Sequence, residues 1–178
     1  MINLNNVQKW ARNLEWLTMI SLIVIPVAIA ATLFTTPITP DMLDQRLETF
    51  AVSPNISQPE MYIAVTLNLI PVIILLFTLN TMRQLFGLYR QGQILTDTCA
   101  RLIQRIGQGF LALALAPFLL NPMLSYILSR ANPSGERSIS VSLNSDMFFF
   151  AIAGGLIIII GWALREASDL AAENRAFV

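Results

Sequence analysis

Four apolar runs, each close to the 20 or so residues that carry a helix across a bilayer core, constrain this chain more than anything else in it. They are Leu14–Phe34, Met61–Asn80, Ile106–Leu128 and Met147–Leu164. Of the 178 residues, 55% are apolar and 12% are charged, with a mean hydropathy of +0.63. Soluble domains carry about 25% charged residues, and a soluble fold of this length cannot hide so much apolar surface. A bilayer removes the difficulty, because apolar side chains face lipid while each helix satisfies its own backbone. The expected fold is an all-α membrane protein, a bundle of four transmembrane helices forming one domain over residues 1–178. A cleaved signal peptide is the competing reading of the first run, since Ala28-Ile29-Ala30 resembles a processing site. The run is longer than a signal core and continues past that site, which favours a span.

Basic residues set the orientation. Lys9 and Arg12 precede the first run, Arg83, Arg90, Arg101 and Arg105 lie between the second and third, and Arg165 and Arg175 follow the fourth. The other two connections hold only Arg46, Arg130 and Arg137. This bias places both termini and the stretch Thr81–Gln108 in the cytoplasm (N-in/C-in). Trp10 and Trp162 suit the headgroup layer.

The second and third runs are expected to continue past the bilayer as a hairpin. One helix over 61–91 is about 45 Å long at 1.5 Å per residue, and the hydrocarbon core takes about 30 Å. Tilt absorbs part of the excess and the rest projects. Gly92 fits the left-handed residue that ends a helix. Thr96 caps the next, with Asp97 favourably placed in its first turn. Pro26, Pro117 and Asn121-Pro122 are expected to bend their helices. In the first external connection, Thr39 and Pro40 can start a short helix that places Leu43, Leu47 and Phe50 on one face. In the second, Ser138–Leu143 alternates strictly, the mark of a half-buried strand, and can pair with Thr49–Ser53 as a small ribbon.

Composition also narrows function. There is no histidine and Cys99 is the single cysteine, so an intramolecular disulfide is impossible and zinc or haem lose their commonest ligands. No cofactor is expected. Net charge is zero, so bulk charge implies no direct nucleic-acid binding. No Asp, Glu, Lys or Arg sits in mid-span, so the usual mark of pumps and proton relays is missing. The hydrolase, metalloprotease and phosphate-loop motifs are absent as well. Arg165-Glu166 and Asp169 read as interface charges that stop the last span. A non-enzymatic protein is expected.

The segment Leu85-Phe86-x-x-Tyr89-x-x-Gly92-x-Ile94-x-Thr96, followed by Leu102 and Ile106-Gly107, resembles the core of a bacterial membrane-protein family. That family is catalogued as domain of unknown function number 2975. The ending Leu170-x-x-Glu173-Asn174-x-x-Phe177-Val178 is similar to the family's own, so the resemblance runs from about the first span to the C-terminus. Where members often carry Phe before the threonine this chain has Leu95, which can still pack as a helix staple. The resemblance implies four transmembrane helices, an inner-membrane location and no established activity. It also implies a regulatory partnership with a small cytoplasmic helix-turn-helix protein.

Two sets of candidate residues follow. Arg83, Tyr89, Arg90, Arg101 and Arg105 on the hairpin, with Glu173 and Asn174 of the tail, are candidates for binding a partner or anionic headgroups, against the simpler role of fixing topology. Asn68 and Asn121, inside spans, are candidates for lining a small-molecule or lipid pocket near Pro117, against ordinary interhelical hydrogen bonding. Gly154, Gly155 and Gly161 permit close helix approach. Cys99 reads as a small residue near a helix start, or as a redox thiol lowered by nearby arginines. Beyond the lipid bilayer, self-association into a homo-oligomer stays open.

Overall fold

The computed structural model describes residues 4–40, 42, 53, 56–133, 141 and 143–176, with the side chains of 4 and 172–176 left aside. Its helices are α1 (Leu4–Thr35), α2 (Gln58–Asn68), α3 (Ile70–Arg90), α4 (Asp97–Ser129) and α5 (Ser145–Ala176). Counting α2 and α3 as one segment, the described residues form four segments long and apolar enough to cross a membrane. The chain is a multi-pass membrane protein of four helical spans. The ribbon expected from Ser138–Leu143 and Thr49–Ser53 lies almost wholly outside the described residues, as do Leu43, Leu47 and Phe50.

The expected single helix over 61–91 is broken at Leu69. Pro71 has no N–H to give the carbonyl of residue 67, and its ring crowds that carbonyl. The chain therefore tightens, with the Leu69 N–H donating to Thr66 and the ladder resuming from Ile73 to Leu69. Pro26, Pro117 and Pro122 remain inside continuous helices. At the start of α2, the backbone N–H and the hydroxyl of Ser57 both donate to Glu60 Oε2, at 3.1 and 2.9 Å. Thr39 acts as expected, accepting from the Met42 N–H at 3.3 Å.

The spans stand in a row, α1 on α3, α3 on α4 and α4 on α5, with α2 also against α4. Helix α4 is the middle member because it carries glycine on two opposite sides. Gly107 and Gly109 are two residues apart, about 200° around the helix. A Cβ on Gly107 would stand 2.7 Å from the Gly154 carbonyl of α5. A Cβ on Gly109 would strike the Thr78 side chain of α3. Farther along the same seam, a Cβ on Gly161 would lie 2.6 Å from Gln104 Cγ. Gly154 and Gly161 thus permit the close approach expected of them. Gly155 does not, since a Cβ there meets nothing. It lies 100° round the helix from Gly154 and off the seam.

Two apolar cores result. One joins Met61 and Ala64 of α2 to Ala116, Leu120, Leu124 and Leu128 of α4. The other, at the hairpin end, joins Leu85 of α3 to Cys99, Leu102, Ile103 and Ile106 of α4. The buried hydroxyls of Thr78 and Thr81 donate to the carbonyls of Ile74 and Phe77, so each is satisfied within its own helix. Helix α1 has little interior face. Ile20, Ile23, Val24 and Val27 are all at least half exposed, as suits a helix surrounded largely by lipid.

Candidate functional site at the hairpin end

The turn between α3 and α4 is fixed from within. Helix α3 ends on Gly92, whose φ of +80° places it in the left-handed region. The Gln93 N–H then reaches back to Leu88 and the Gly92 N–H to Tyr89, both at 3.0 Å, which is the full Schellman closure. Helix α4 starts on Thr96, whose hydroxyl accepts from the Cys99 N–H at 3.2 Å. Both assignments made from sequence are correct.

Cys99 is fully buried, and its thiol donates to the Gln93 carbonyl at 3.1 Å. Its place is that of an internal tie across the turn, sealed from solvent. Leu95 departs from expectation. It is 65% exposed and does not pack as a staple, because the residue it would cover, Ala100, is already buried beside Gly161 of α5.

The arginines are divided among different tasks. Arg101 NH1 lies 2.9 Å from Asp97 Oδ2, and Arg165 Nε of α5 lies 3.4 Å from Asp97 Oδ1. Asp97 therefore ties the fourth span to the hairpin, a role that sequence reading missed. The four-residue spacing of Asp97 and Arg101 signals their own pair, whereas the contact with Arg165 comes from the packing of α5 on α4. Arg90 turns the other way and pairs with Glu15 of α1, Nε to Oε2 at 2.9 Å. Arg83 keeps its Nε buried without a hydrogen-bond partner, and Arg105 is exposed on α4. Tyr89 is half-buried and helps line an apolar cavity of about 340 Å³ between α1 and α3, with Trp10, Leu14 and Phe86. Glu173 and Asn174 lie on the last turns of α5, and their side chains fall outside the described set.

Asn68 and Asn121 lie elsewhere. Asn68 is exposed at the end of α2, beside the Leu69 break, whereas Asn121 is half-buried on α4 and has a partner. Neither lines a cavity at the hairpin end. Among the described residues, no three Cys, Asp or Glu side chains gather to hold a metal ion.

The hairpin, both of its arms and the last span fall within residues 43–178, which match the family described as "Protein of unknown function (DUF2975)". The chain belongs to the DUF2975 family. The matched stretch begins after α1, so the DUF2975 portion comprises α2 to α5 and the first span lies outside it. No curated protein and no solved structure matches the chain.

Proposed function

We propose that this DUF2975 protein is a non-enzymatic regulatory or scaffold protein of the bacterial inner membrane. In this reading both termini and the hairpin face the cytoplasm, and the hairpin tip docks a small acidic protein. A helix-turn-helix regulator, which the family resemblance implies, is the first candidate. The observation that carries the reading is the exposed Leu95 on a turn held by the Gly92 closure, the Thr96 cap and the Cys99 tie. Closures of this kind end many helices, and here they also hold Leu95 in one place. A docking point gains from this, since ordering a loose loop on binding costs affinity. Arg105, exposed two turns along α4, supplies positive charge on the same arm of the hairpin.

The test is a photo-crosslinking residue at position 95 in inverted membrane vesicles mixed with cytosol. Cys99 is unsuitable as the attachment point, being buried. The expected result is an adduct with a small DNA-binding protein that is lost in Arg105→Glu, while the variant still inserts. Recovery of inserted protein without an adduct, or an adduct indifferent to Arg105→Glu, would overturn the reading. Arg101→Glu is a poorer probe because it also breaks the contact with Asp97.

A further inference from the structure

A second feature at this end of the molecule lies between α1 and α3, beside the turn, where Gln8 approaches Gly92. Asn5, Gln8, Lys9 and Arg12 of α1 and Arg90 of α3 line a cavity of about 370 Å³. That is within the roughly 300–1,000 Å³ typical of small-molecule sites. A neighbouring cavity of about 230 Å³ shares Arg12 and Arg90 and continues past Glu15 to Trp16 and Met19. We propose that this groove holds the phosphate headgroup of an anionic membrane lipid, with the glycerol and upper acyl chain lying along Trp16 and Met19.

Charge, depth and shape support this assignment. Three cationic side chains line the two cavities against one carboxylate, Glu15. Glu15 already engages Arg90 through Nε. A guanidinium carries five N–H donors and can bind a phosphate through two parallel N–H···O bonds.

Depth follows from helix geometry. Lys9 and Arg12 precede Leu14, the first residue of the apolar run, by about 7.5 and 3 Å along the axis. That is the headgroup layer. Arg90 is held at the level of Glu15 by their ion pair, about 9 Å along the axis from Lys9, and the long side chains of all three cations line the one cavity. Trp10 and Trp16 flank them with 69% and 61% of their surface exposed, in the manner of interfacial indoles. The groove is polar at its outer end and apolar at its inner end, which is the order of groups along a lipid. A soluble acidic protein would meet only the outer end.

The experiment is native mass spectrometry of the full-length, delipidated protein in neutral detergent. It is titrated separately with phosphatidylglycerol and phosphatidylcholine, then with inorganic phosphate as competitor. One phosphatidylglycerol should be retained per chain, with about tenfold or greater preference over phosphatidylcholine. Lys9→Gln and Arg12→Gln should each weaken retention by about fivefold, the usual worth of one cation at an anionic surface. Both positions are exposed, so the variants keep the fold. Arg130→Gln, at the far end of α4, should change nothing. Equal retention of phosphatidylcholine would overturn the proposal, as would an equal loss in Arg130→Gln. Displacement by millimolar inorganic phosphate would also overturn it, by assigning the groove to a soluble anion.

Discussion

Gly107 and Gly155 are both glycines within apolar helices, yet a methyl group should act oppositely at the two. At Gly107 it would stand 2.7 Å from the Gly154 carbonyl and from Ile158, so α4 and α5 must separate or shift. Overpacking of this kind costs about 1–3 kcal/mol. At Gly155 a methyl meets nothing, and alanine gains up to about 1 kcal/mol of helix preference over glycine. Thermal unfolding in detergent, followed by circular dichroism, should show Gly107→Ala lowered and Gly155→Ala unchanged or raised. Equal behaviour would mean that the α4–α5 seam does not run through Gly107. Sequence reading grouped Gly155 with its neighbours because hydropathy does not mark which side of a helix in lipid meets another helix.

At the scale of elements, the chemistry of helix ends was readable and the interruption of a helix was not. Gly92, Thr96 and Thr39 each act through residues within four positions, so composition and spacing suffice to place them. Replacing Gly92 by alanine should cost about 1–2 kcal/mol, the usual strain of a left-handed L-residue. Gly92→Asn should be the milder change, since asparagine visits that region more readily. Unfolding of both variants in detergent checks the order, and a tolerant Gly92→Ala would mean the turn can close without a positive φ. The break at Leu69 was missed although Pro71 was plain in the sequence. Pro26, Pro117 and Pro122 sit in equally apolar runs and leave their helices continuous, so proline alone did not foretell which helix would part.

For the whole molecule, the row of helices gives α1 a special position. It packs against α3, at one end of the row and outside the stretch that matches the family. The Glu15–Arg90 pair fixes the register of α1 on α3. Its guanidinium is half exposed and its carboxylate about a quarter, so a coupling of roughly 0.2–1 kcal/mol is expected, as for exposed pairs. A double-mutant cycle of Glu15→Gln and Arg90→Gln, read by unfolding in detergent, should return a value in that range. A coupling near zero would leave the groove walls alone to position α1. The row also bears on function, because four helices in line do not surround a common lumen as a ring would. Among the described residues, the cavities between α1 and α3 lie at one edge of the row.

The sequence by itself determined that this chain crosses a membrane four times in helices, where those helices run, and how several of them begin and end. Apolar run length, capping residues and turn residues act over a few to about 20 positions, and such signals need no knowledge of the rest of the fold. Part of the candidate site was legible on the same terms, since the hairpin arginines could be named though their partners could not. The tertiary structure decided that Arg90 faces Glu15, that Asp97 holds Arg165, that Leu95 is bare and Cys99 covered, and that Gly107 and Gly109 receive helices on opposite sides. In a lipid solvent both the packed and the lipid-facing sides of a helix are apolar. The pattern that separates inside from outside in water is therefore missing, and only the arrangement of the helices supplies it.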